Sequence, residues 1–181
     1  MPEATYTQGR WSLDDLIPER SGPAMEAVLS RLEDLVRRIE SKRGALEPTI
    51  SEDEFAEILA LVERFDHLTR TLGGYASLWL AEATSDQAAL AFHRRVDRVL
   101  AEATNRTLFF ETWWKGIDER NAARLLDQSG DVRYYLETLR RFAPFTLSEP
   151  EEKLINVKDI YGARGLETLY DMITNAFTYE M

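Results

Sequence analysis

The strongest constraint on this chain is a spacing. From Val28 onward its apolar residues fall three or four positions apart, the interval that places side chains on one face of an α-helix. Val28, Leu29, Leu32, Leu35, Val36 and Ile39 form one stripe, and Phe55, Ile58, Leu59, Val62, Phe65, Leu68 and Leu72 a second. A third runs through Leu90, His93, Val96, Leu100, Ala103, Thr107, Phe110 and Trp114. Shorter stripes follow at Ala122, Leu125 and Leu126, at Val132, Tyr135, Leu136, Leu139 and Phe142, and at Leu166, Leu169, Tyr170, Ile173 and Phe177. No segment before Phe177 reads as a strand. The 9 Gly and 6 Pro among 181 residues are too few for a turn-rich β architecture. The pattern predicts an all-α fold: a helical bundle of about six or seven helices in long antiparallel hairpins. One short strand is expected at the C-terminus, Phe177 to Met181.

Local signals place the boundaries. Ser12 can cap a short turn with Asp15, with Trp11 in the staple position and Pro18 as the stop. Pro23 suits the first turn of the first long helix, whose end carries Arg37, Arg38, Lys42 and Arg43. Gly44 reads as its left-handed stop. Ser51-Glu52-Asp53-Glu54 is a capping box for the second helix. Gly73 and Gly74 lie inside that helix's continuation to Trp79 and weaken it by roughly 2 kcal/mol relative to two alanines. They would admit a close neighbour or a kink. The third helix should run to about Ile117, with Asp118 capping the next and Gly130 punctuating. Ser148-Glu149-Pro150-Glu151 starts a helix that reaches Tyr161, with Gly162 and Gly165 as breaks. Residues 1–10 are polar and read as a flexible N-terminus; residues 11–181 read as one helical domain.

Chemistry is hard to find in these residues. The net charge of −10 argues against a general affinity for nucleic acid, which needs a basic face, and gives little support to an anionic membrane. There is no Cys, hence no disulfide framework and no thiolate ligand or nucleophile. The opening residues lack the apolar core of a signal peptide, and no apolar run approaches a membrane span. A soluble, cytoplasmic protein is expected. The two histidines, His67 and His93, stand outside any H-E-x-x-H pattern. Asp14-Asp15, Glu52-Asp53-Glu54 and Glu151-Glu152 sit at helix starts, where the macrodipole favours negative charge, so capping is their expected role. No nucleophile elbow is present, and Gly162-Ala163-Arg164-Gly165 follows no strand, so it is no phosphate loop. Accordingly no catalytic, cofactor-binding or metal-binding residue is assigned. Phe109, Phe110, Trp113 and Trp114 cover more than one helical face, which fits a core or, more sharply, a contact with another lobe. Tyr134-Tyr135 near Arg140-Arg141 fits either a peptide groove or ordinary packing.

Three stretches carry a family resemblance. They are Trp11-Ser-Leu-Asp-Asp-Leu-Ile-Pro18, the run from Tyr75 through Leu90 with Asn105-Arg-Thr-Leu-Phe-Phe-Glu111, and the run from Tyr134 to Met181. The last contains Arg141-Phe-Ala-Pro144, Leu147-Ser-Glu-Pro-Glu-Glu-Lys153 and Leu169-Tyr-Asp171 followed by Asn175 and Thr178. Together these resemble the N-terminal lobe of oligoendopeptidase F-type zinc metallopeptidases, relatives of thimet oligopeptidase. The resemblance implies a non-catalytic helical wall of a channel that admits short peptides. It implies zinc in the parent enzyme, held by an H-E-x-x-H motif and a further Glu on a catalytic lobe, and none of these residues is in this sequence. The implied fragment is inactive alone and is a truncated or separately made front portion. Its implied partners are the missing catalytic lobe and short peptides, with self-association through exposed apolar surface or the C-terminal strand as a further use. On this reading the terminal run would enter a β-hairpin whose returning strand is cut away, leaving Thr178 to Met181 disordered or paired elsewhere. The alternative is a self-contained helical interaction module without catalytic activity. A small enzyme built from scattered carboxylates with His67 or His93 ranks behind both.

Overall fold

A computed structural model describes residues 12–82 and 84–178. Eight α-helices follow in order: α1 (Pro23–Ser41), α2 (Glu52–Glu82), α3 (Gln87–Thr107), α4 (Phe109–Gly116), α5 (Glu119–Asp127), α6 (Arg133–Arg141), α7 (Glu149–Tyr161) and α8 (Ala163–Asn175). Single 3-10 turns lie at Arg43–Ala45, Gly130–Val132 and Ala143–Phe145. No strand occurs among the described residues. Phe177 and Thr178 are in neither helix nor strand, and the rest of the expected terminal strand lies outside the described residues, as does Trp11.

The predicted long third helix is present but interrupted at one residue. Only Leu108 separates α3 from α4, and it keeps helical angles (φ −54°, ψ −28°). Its N–H donates to the Thr104 carbonyl at 2.8 Å, and its carbonyl accepts from the Thr112 N–H at 3.1 Å. The Thr107 hydroxyl donates back to the Ala103 carbonyl at 3.1 Å, the kind of side-chain bond that bends helices. Counted as one interrupted helix, α3 and α4 bring the bundle among the described residues to seven, as expected.

Two apolar clusters share α2 as their spine. Its C-terminal half (Leu72, Tyr75, Ala76, Trp79) packs on Met25, Leu32 and Val36 of α1 and on Ala89, Val96 and Ala103 of α3, with Ile17 as a plug. Its N-terminal half (Phe55, Ile58, Leu59, Val62) packs on Phe110 and Trp114 of α4, Ala122 and Leu125 of α5 and Leu136 of α6. The Phe55 and Trp114 rings stack at 5.4 Å. The buried indole N–H of Trp114 donates to the Leu136 carbonyl at 2.9 Å, so it is not left orphaned. Arg106 ties α3 to α1 by donating to Glu40 Oε1 at 2.8 Å and to Glu33 Oε2 at 2.7 Å.

Most start signals act as read. α1 opens at Pro23. The Ser51 hydroxyl accepts from the Glu54 N–H at 3.2 Å, while the Glu54 carboxylate lies 3.9 Å from Lys42 Nζ. The Asp118 carboxylate accepts from the Asn121 N–H at 3.1 Å. At Ser148 the capping box forms, with Glu151 accepting from the Ser148 N–H at 2.9 Å. Two stop signals act differently. Gly44 is not left-handed: the described positive-φ glycines are Gly22 (90°) and Gly130 (52°), and α1 runs off through Lys42 in helical conformation into a 3-10 turn. Gly165 lies inside α8, so the break after α7 falls at Gly162 alone.

α7 and α8 contribute no buried residue. α7 is fastened along α3, where the Asn156 side-chain amide donates to Asn105 Oδ1 at 3.0 Å. Arg43 pairs with Glu149 at 2.8 Å.

Candidate functional site

The two histidines are placed apart. His67 is exposed in a groove between α1 and α2 that Arg31, Arg38 and Arg64 also line. His93 sits on α3 beneath α8, with Asp97 one turn on. Its Nδ1 lies 3.2 Å from Asp97 Oδ2, and its Nε2 lies 3.4 Å from Ser77 Oγ on α2. A serine, a histidine and an aspartate thus stand in the order of a nucleophile, its base and an orienting acid. The resemblance to hydrolytic machinery stops there. Ser77 lies well inside α2, where the backbone N–H groups on both sides are committed to the helix and cannot meet an oxyanion. The chain of contacts reads as a polar tie between α2 and α3. Among the described residues no group of three His, Asp or Glu side chains could hold a metal ion.

The carboxylates at helix starts act as the caps expected of them. Hydrogen bonds from the Asn121 side chain and backbone hold Asp118 below its ordinary range. The Ser148 hydroxyl and N–H do the same for Glu151. Lys153 first, and Arg43 after it, lower Glu149.

The aromatic cluster takes the core reading. Phe110 and Trp114 are fully buried, and Phe109 is covered by the Arg43 guanidinium 4.9 Å from its ring. Trp113 packs against the same cluster. Arg140 also turns inward, donating to the carbonyls of Trp114 at 3.0 Å and Ile117 at 2.9 Å, so no Tyr-Arg groove forms around it. Arg141 lies 6.0 Å over the Tyr134 ring at the surface.

The open apolar surface lies elsewhere, on α6, the 3-10 turn after it, α7 and α8. Tyr134 is 70 % exposed, Phe145 78 %, Tyr161 81 %, Leu166 67 % and Tyr170 68 %. Leu154, Ile155, Val157, Leu169, Ile173 and Phe177 are each about half exposed or more. Single exposed apolar residues are ordinary, but this many on consecutive elements are not. The signal was in the sequence: Leu154, Ile155 and Val157 spread around α7 instead of forming one stripe.

Fold and surface together define a helical lobe with two buried apolar clusters and many exposed apolar residues on α6 to α8. Residues 113–179 match the family model described as Oligopeptidase F, for the N-terminal domain of peptidase family M3. Over these residues the chain is similar to the N-terminal region of oligoendopeptidase F-type peptidases. It takes in α5 to α8 and with them the exposed apolar residues. No curated protein matches the chain, and no solved structure does.

Proposed function

We propose that the chain is the N-terminal, non-catalytic lobe of a zinc-dependent oligopeptidase and forms one wall of a channel for short peptides. The observation that carries this reading is the apolar face of α6 to α8. It coincides with the family-matched segment, and α7 and α8 bury no side chain of their own. A face of this kind is what a second lobe would cover. The residues of this chain do not fit a zinc site: neither histidine belongs to an H-E-x-x-H, and no described trio of ligands converges. On this reading the metal, its ligands and the activated water belong to the catalytic lobe, and this chain shapes the cavity. No described helix is long and apolar enough to cross a membrane, and a cytoplasmic location is part of the proposal.

The test has two steps. The reading frame that accompanies this one should encode H-E-x-x-H. Mixing the two polypeptides should then give hydrolysis of a quenched fluorescent peptide that neither gives alone, with loss of activity on chelation. Cleavage by this chain alone would overturn the proposal, as would a catalytic lobe that neither binds this chain nor changes rate in its presence.

A further inference from the structure

We propose that the cleft between α3 and the α7–α8 hairpin binds a peptide carboxylate, with Arg94 and Arg98 as its cationic wall and Tyr161, Leu169 and Met172 as the seat for a neighbouring apolar side chain. The cleft encloses about 620 Å³, within the range of small-ligand sites. Arg94 and Arg98 stand four residues apart on α3, which puts them on one helical face, and both line the cleft. Neither has an ion pair or hydrogen bond among the described residues, although acidic residues outnumber basic ones 32 to 22.

The neighbouring charges are accounted for. Arg95 also borders the cleft but reaches Glu26 of α1 at 3.5 Å. Asp97 is the one carboxylate lining the cleft among the described residues, and it is engaged by His93 at 3.2 Å. Glu167 and Asp171 of α8 line a different cleft, on the flank facing α2, together with Arg164. The opposite wall is apolar and open, with Tyr161 at 81 % and Leu169 at 51 % exposure. Two unpaired guanidinium forks facing an apolar wall fit a carboxylate carried beside an apolar side chain.

The inference rests on the oligopeptidase reading only in taking the ligand to be a peptide. The carboxylate can come from a peptide C-terminus or from an internal glutamate, and the experiment separates the two. Fluorescein-labelled Gly-Gly-Gly-Ala-Leu would be titrated with the intact chain as free acid and as C-terminal amide, by fluorescence anisotropy at low salt. Gly-Gly-Glu-Leu amide and its Gln counterpart form the second arm. Saturable binding is expected for the acid of at least one arm, with the uncharged counterpart weaker by about tenfold or more. Arg94→Gln with Arg98→Gln should abolish that preference. Arg31→Gln, on the far groove, should leave it unchanged, and Tyr161→Ala should weaken leucine peptides more than all-glycine ones. All four positions are exposed, and circular dichroism would confirm that each variant keeps its fold. Equal binding of acid and amide in both arms, or a double arginine variant that binds like wild type, overturns the proposal, as does absence of saturation up to millimolar protein. Hydrolysis by the mixed lobes is read separately, so binding without hydrolysis sinks the peptidase reading and hydrolysis without binding sinks the cleft.

Discussion

Gly73 and Gly74 are neighbours in α2 with different surroundings. A Cβ at Gly73 would meet Leu100 Cδ1 of α3 at 3.3 Å, whereas a Cβ at Gly74 would meet nothing within 4 Å. Gly74→Ala should therefore stabilise the protein by about 1 kcal/mol, the usual helix-interior difference between the two residues. At Gly73 the same gain is opposed by the contact with Leu100, so Gly73→Ala should be neutral or destabilising. Thermal unfolding followed by circular dichroism compares them, and equal stabilisation at both would show that the close approach does not matter. Residue-scale signals were legible where partner groups lie within one turn. Asp118 and Ser148 cap helices because a side-chain oxygen or carboxylate three residues away can reach only a few backbone groups. Gly44 misled because a glycine permits the left-handed conformation without requiring it, and the chain there turns through a 3-10 segment instead.

Among the elements, α1 and α3 are joined by Arg106 at a partly exposed site. Hydrogen bonds from Arg106 are the main cause holding Glu33 and Glu40 below the ordinary carboxylate value, and partial burial opposes them. The same contacts raise Arg106 further above its already high value. A carboxylate depressed in the folded state adds stability that is complete above its unfolded value of 4.5 and lost as pH falls through the lower folded value. The wild-type melting temperature should thus fall once pH drops below about 4.5. Arg106→Gln should lower it at neutral pH and flatten that acid limb, leaving the parts due to Glu149 and Glu151 in place. A variant whose acid limb matches wild type would exclude the network as the cause. Element order was readable from the stripes alone. The interruption at Leu108 was not, since the apolar stripe runs through it unbroken from Leu90 to Trp114.

At the scale of the whole molecule, stability is unevenly distributed. α2 contributes nine buried residues to the two clusters, and α7 and α8 contribute none. The hairpin should therefore open locally at far lower free energy than α2. Hydrogen exchange should show α7 and α8 amides exchanging orders of magnitude faster than those around Phe55 or Tyr75. Uniform protection across the helices would contradict this uneven distribution.

The sequence by itself determined the helices, most of their caps and the all-α class, because these follow from interactions within a few residues and from a periodicity that needs no partner. It also carried the motifs from Arg141 to Thr178 that fall within the family-matched segment. Which stripes became core and which stayed open was decided by the tertiary structure. Phe109, Phe110, Trp113 and Trp114 closed over α2, while Leu154, Tyr161, Leu166 and Tyr170 on α7 and α8 stayed exposed. Burial is a property of what lies opposite a side chain, and no spacing along one helix states what that will be.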